Sequence, residues 1–502
     1  MQGQLRGPKV AITIIVMLAA LMAMIDISIV NVALTDIRAS FATPLDQIGW
    51  VSTGYMMANI VVIPMTGWFQ RRFGFRAYFT ASILVFTVAS ALCGTAWNLP
   101  ALVAFRVLQG LGGGAIIPTA QSILFARYPR EQHGMAAGLF GLGAITGPLL
   151  GPTIGGYLID LSSWHWIFLV NVPVGIAVAA LAWRFIDEPG FVPDRQPIDG
   201  TGIVLLATGM PALQYVLEEG NREGWFDSTR IIALTWIAAI ALVTFIAHEL
   251  ETPHPVVDLR VFKNRSYAAG SGINFLTGIA LFGSSYLFSL FCGTVMHYTA
   301  LDIGRVFLIA GLVQIVLMPV VGRIAPRIDP RILLLLGVST VGASQWLGAQ
   351  LTDAAGFNDL VMPQLVRAVG LAFIFIPVSV AALSDLPAAA RGNATGLFNL
   401  TRELGGSIGT AWMGKVVADG MTAHGAALAE HVTVYDPAVQ LRMAQLGRGV
   451  PAEAMIDLQV RGQAIVMSFE DGFRLAMMAI LVGLVLALML KRARGSAPVG
   501  AH

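Results

Sequence analysis

The side chains in this chain that could do chemistry are charged or amide residues standing inside long apolar runs. Asp26 lies in a run from Val10 to Leu34, and Arg106 and Gln109 lie in a later run that opens at Leu99. An ionised group deep in a bilayer costs at least about 2.5 kcal/mol, so each one present is a functional candidate. Asp26 sits about eight residues from the end of its run, roughly 12 Å deep, and Arg106 about six residues, roughly 9 Å, from the same side. Similar depths predict that they meet. Burial and a neighbouring guanidinium act in opposite senses on a carboxyl's hold on its proton. A carboxylate under both influences can take and release a proton as water reaches it from alternate sides. A fixed ion pair locking two helices would use the same residues and would need no access to either water phase.

Arg402 and Glu403 form a second group, in Asn399-Leu400-Thr401-Arg402-Glu403-Leu404-Gly405-Gly406. Neighbours on a helix point about 100° apart, so one is expected to face a cavity while the other pairs with a different helix. Arg367, alone in its run, is a further candidate. Tyr55, Asn59 and Gln109, with Asn274, Phe275, Phe282 and Tyr286, offer aromatic faces and amides that suit amphipathic organic molecules, and they serve equally well as packing. No GxxxxGK[ST] phosphate loop occurs, so no ATP site drives any transport. Cys93 and Cys292 lie in apolar runs without metal-ligand spacing, so no metal, cofactor or disulfide is implied.

The elements that must position these residues follow from composition. Of 502 residues 56% are hydrophobic and 12% charged, with mean hydropathy +0.73. Such a chain cannot cover its own surface in water, which excludes a soluble enzyme. A net charge of +2 gives no nucleic-acid footprint. A bilayer core of roughly 30 Å takes about 20 apolar residues per helix, and cutting at charges and turns gives about fourteen spans. Most of the 31 lysines and arginines fall in connectors on one side, which places both termini in the cytoplasm. Arg6 and Lys9 precede an apolar run that continues past Asp26 without a cleavage site, so the first helix is retained.

An offset of about 255 residues maps the chain onto itself, with Arg106 matched by Arg367. The expected organisation is a six-helix bundle over 1–190 and two inserted helices with linkers over 191–265. A second six-helix bundle then covers 266–491, with an outer loop at 419–470, before a cytoplasmic tail at 492–502. Glycines beside proline, at Gly147-Pro148-Leu149-Leu150-Gly151-Pro152-Thr153-Ile154-Gly155-Gly156, permit close helix approach and a bend, hence a pivot.

Three segments together resemble, in order and spacing, the signature motifs of major facilitator superfamily drug:proton antiporters. They are the connector Gly67-Trp68-Phe69-Gln70-Arg71-Arg72-Phe73-Gly74-Phe75-Arg76, the Arg106-xx-Gln109-Gly110 helix and the Gly147–Gly156 helix. Asp26 to Leu34, Trp164 to Phe168 with Asn171-Val172-Pro173, and Arg402 to Ala411 resemble the fourteen-helix EmrB/QacA branch. The connector departs from the motif at Arg71, where an acid is usual, and at Phe75. The resemblance implies an all-α membrane protein of two bundles alternating access about a central cavity. Asp26 is then the proton carrier beside Arg106, and the activity is efflux of hydrophobic compounds across a bacterial inner membrane. It further implies a periplasmic adaptor and an outer-membrane channel as partners, met by the 419–470 segment. Export of one metabolite, siderophore or lipid on the same scaffold, and a non-transporting sensor, are the competing functions.

Overall fold

The structure is a computed structural model that describes residues 7–433, 435–446 and 450–490. The tail expected at 492–502 lies outside the described residues. In lipid every backbone polar group must be satisfied within its own segment, and the chain answers with helices throughout. The first passes are α1 (Lys9–Phe41), α2 (Trp50–Cys93), α3 (Leu99–Arg127), α4 (His133–Leu161) and α5 (Asn171–Phe185). A hairpin of α6 (Gly200–Glu219) and α7 (Thr229–Glu251) follows. Then α8 (Arg265–Gly278) continues through a π turn at Ile279–Gly283 into α9 (Ser284–Thr294). The remainder is α10 (Ala300–Ile324), α11 (Pro330–Gly348), α12 (Phe357–Leu383), α13 (Ala388–His431), α14 (Pro437–Leu446) and α15 (Val450–Met489).

Ten of the described helical stretches are long and apolar enough to cross a membrane. Counting α2 as two passes, because it reverses at Gly74, and adding α4, α11 and α13 gives the expected fourteen. The chain is a multi-pass membrane protein. Helix starts follow local chemistry. Asn98 accepts from the Ala101 N–H at 2.8 Å, and Thr299 and Asp302 form a capping box ahead of α10.

Two expectations are corrected. The Gly67–Arg76 segment is not an open loop: it is helical except at Gly74, whose φ of 79° is a left-handed conformation that glycine adopts without a Cβ penalty. The 419–470 segment is not a loop either. It is mostly helix, because α13 runs on to His431 and α15 begins at Val450. Its alanine-rich sequence has high helix propensity once it leaves lipid. His424 and Asp471 tie the two arms at 2.7 Å.

At the face where α1 begins, the two halves touch directly. Asn399 donates to Gln121 Oε1 at 2.7 Å, and His133 Nδ1 shares a hydrogen with Ser384 at 2.8 Å. A Cβ on Gly134 would meet the Gly322 carbonyl at 2.8 Å, and one on Gly67 would strike the Asn393 backbone. Only glycine allows these approaches. Toward the opposite face α6 bridges α2 and α13. The Tyr215 ring meets Trp50 at 5.4 Å, Ser407 donates to Gln214 Oε1 at 3.1 Å, and Asn221 donates to the Ala411 carbonyl at 2.9 Å.

Candidate functional site

Asp26 is fully buried in the middle of α1, and its two oxygens divide their partners. Oδ2 accepts from Arg106 Nη1 at 2.7 Å, while Oδ1 accepts from Gln109 Nε2 and Asn171 Nδ2, each at 2.8 Å. Arg106 also donates to Gln109 Oε1 at 2.8 Å and, through Nε, to the Val51 carbonyl at 3.1 Å. Its guanidinium lies 4.3 Å from the Tyr55 ring centre and 5.7 Å from that of Phe168. Spacing explains part of this. Residues three apart on a helix are neighbours, so Arg106 and Gln109 reach the same carboxylate. Gly110 and Gly113 clear the way, since a Cβ on either would strike Tyr55. That clearance lets α2 pack onto α3 and slide an aromatic face under the cation.

Asn171 is the residue that sequence reasoning missed as a member of this site. It stands at the start of α5, and its Nδ2 also reaches Ser90 Oγ at 3.1 Å. The signal was present but weaker: an amide in a span without any charge needs a hydrogen-bond partner on another helix. With three N–H partners the carboxylate is well held.

A narrow pocket of about 10 Å³, room for roughly one water molecule, lies between the halves, lined by Met24, Ile27, Met56, Asn59, Arg402 and Glu403 among others. Of the residues expected to line a cavity, Asn59, Arg402 and Glu403 do so. Arg402 and Glu403 both face it and lie 3.6 Å apart, which corrects the expectation that only one would. Long side chains bring together tips whose Cα–Cβ vectors diverge. Arg402 Nη2 donates to Asn399 Oδ1 at 3.1 Å, and its Nε is buried without a partner. Tyr55 and Gln109 belong instead to the Asp26 network. Asn274 donates to the Phe398 carbonyl at 2.6 Å and fastens α8 to α13. Phe275 lies with its carbonyl against Gly405, Phe282 packs on Gly406, and Tyr286 reaches toward Gly414. Arg367, buried on α12, donates to Ser284 Oγ at 3.1 Å and Ser285 Oγ at 2.7 Å.

The connector motif finds its acids elsewhere. Arg71 pairs with Asp194 at 3.8 Å, Arg72 donates to the Asp194 carbonyl at 2.7 Å, and Arg76 lies 4.3 Å from the Trp183 ring centre. Glu188 accepts the Phe75 N–H at 2.8 Å, right after the Gly74 reversal. Its carboxyl is pushed above the ordinary range by burial, opposed by that N–H. Carboxylates thus reach the connector from the stretch after α5, which nothing in the motif's own spacing indicates.

On α4, glycines face α1. A Cβ on Gly147 would strike Met24, one on Gly151 would strike Ser28, and one on Gly155 would lie 2.7 Å from Ile29. Gly156 faces open space. The side chains of Pro148 and Pro152 lie outside the described residues. The helix itself runs unbroken from His133 to Leu161.

A family model described as Major Facilitator Superfamily matches residues 16–410. The chain is 34% identical over 487 residues to a Haemophilus influenzae protein named multidrug export protein EmrB, covering 96% of this chain and 95% of that one. It is 32% identical over 445 residues to the fatty acid resistance protein FarB of Neisseria gonorrhoeae, covering 88% of each. Among solved structures the human organic anion transporter MFSD10 superposes with a TM-score of 0.64 at 12% identity, covering 96% of this chain and 99% of that one, a likeness of fold alone.

Proposed function

Because the chain belongs to the major facilitator superfamily, we propose that it is a proton-driven drug exporter of a bacterial inner membrane, with both termini cytoplasmic. The observation that carries this reading is the buried Asp26–Arg106 pair, 2.7 Å apart, beside a cavity between two halves. Inward protons supply about 2.3 kcal/mol per charge per 100 mV, enough to drive outward movement of an amphipathic compound. Asp26 carries the proton, and Arg106, Gln109 and Asn171 hold its charged form. The pocket widens to take the substrate as the halves part, with Met24, Ile27 and Met56 for its apolar body and Asn59, Arg402 and Glu403 for its polar groups. Tyr55, Asn274, Phe275, Phe282, Tyr286 and Arg367 complete the substrate path as it changes shape. The direct contacts at the face where α1 begins fit a state closed to the cytoplasm. The units 1–190, 191–265 and 266–491 act as bundle, insert and bundle, with the α4 glycines as the sliding surface. The helical arms at 419–470 are the docking point for a periplasmic adaptor that leads to an outer-membrane channel.

The test is transport in proteoliposomes under an imposed pH gradient. The wild-type chain exchanges protons for drug, and Asp26→Asn inserts normally and exchanges none. Unchanged exchange by Asp26→Asn refutes the reading.

A further inference from the structure

The two halves place a guanidinium at matching positions but treat its charge differently. In the first half Arg106 Nη1 meets the Asp26 carboxylate at 2.7 Å. In the second half Arg367 Nη1 meets the hydroxyls of Ser284 and Ser285, at 3.1 and 2.7 Å. Both serines also donate to carbonyls of the preceding turn, Ala280 for Ser284 and Leu281 for Ser285. A hydroxyl has one hydrogen, so each serine presents Arg367 with lone pairs and no net charge. Among the described residues Arg367 has no carboxylate within ion-pair distance. A buried cation without a counter-ion is among the costliest features a membrane helix can hold, and such residues mark ligand paths.

A second, independent feature marks the same turn. The helix widens into a π turn at Ile279–Gly283, immediately before Ser284, and such bulges cluster at functional sites. The uncovered stripe of this helix carries Phe282, 37% exposed, and Tyr286, 39% exposed, one turn apart and flanking the half-buried Ser285. Apolar faces thus adjoin an unbalanced positive charge. We propose that Arg367, with Ser284 and Ser285, is a subsite for the anionic group of an amphipathic organic acid, whose apolar body lies along Phe282 and Tyr286. This rests on the exporter reading above and names one substrate class for it.

The test uses the full-length protein and two probes that share a ten-carbon tail, decanoate and decyltrimethylammonium. Affinity is read by intrinsic tryptophan fluorescence in detergent, and proton exchange is read in liposomes, each in chloride and in gluconate. The wild-type chain prefers decanoate. Arg367→Gln lowers the ratio of decanoate to decyltrimethylammonium affinity by about tenfold or more, and Arg367→Lys keeps it within about threefold. Ser284→Asp, which installs an internal counter-ion, removes the preference and serves as the second variant should Arg367→Gln fail to fold. Equal weakening of both probes in Arg367→Gln overturns the proposal, as does chloride competition with no decanoate binding. Failure of the exporter reading looks different: decanoate binding that depends on Arg367 persists while no probe exchanges for protons, and Asp26→Asn then matches wild type in exchange.

Discussion

The Asp26 site and the Arg367 site each hold a buried guanidinium and differ in what meets it. In one, a carboxylate with three N–H partners closes the charge balance inside the protein. In the other, two neutral hydroxyls satisfy hydrogen bonds and leave the charge open. A closed pair changes state only by gaining or losing a proton, whereas an open charge changes state by gaining a ligand. In the pocket between the halves Arg402 and Glu403 stand 3.6 Å apart, a third arrangement in which acid and base are neighbours on one helix.

The contrast can be broken at several points. Asp26→Asn should have the largest effect: proton-coupled transport is lost entirely, measured as pH-gradient-driven exchange in liposomes, while the protein still inserts. Arg106→Ala strands the carboxylate, and breaking one side of a buried pair costs about 3 to 5 kcal/mol, visible as a large drop in thermal unfolding temperature. The matching Arg367→Ala strands no acid, so it should cost clearly less; an equal loss would show that the two sites are energetically alike. Gly67→Ala puts a Cβ into the Asn393 backbone, and overpacking of about 1 to 3 kcal/mol should open the contact between α2 and α13 at that face, read by spin-label distances.

The smallest effect belongs to Glu188. Burial raises its pKa in the folded state above its ordinary value of 4.5, so its share of stability is full below that value and is lost as pH rises through the raised one. Glu188→Gln should flatten this slope and change stability by less than about 1 kcal/mol, measured by thermal unfolding across pH.

The membrane class, the number of passes and the meeting of Asp26 with Arg106 were legible because each is a one-dimensional property. Hydropathy fixes the spans, and residue count the depth of a side chain. Asn171 was missed, although it stands as a polar residue in an uncharged span. Glu188 and Asp194 were not legible, because they reach the connector motif from more than a hundred positions away in sequence. The shared orientation of Arg402 and Glu403 was misread because helical geometry directs Cβ atoms, while rotatable bonds decide where long side chains end.

The order of charges and apolar runs by itself determined a helical membrane protein with a buried acid and base at matched depth, since lipid leaves the backbone no other solution and penalises every ion placed there. Tertiary packing alone decided which partners each ion received, and so which guanidinium is balanced and which is open. A partner is set by a separation of a few ångströms between helices, and no spacing along a single helix encodes that distance.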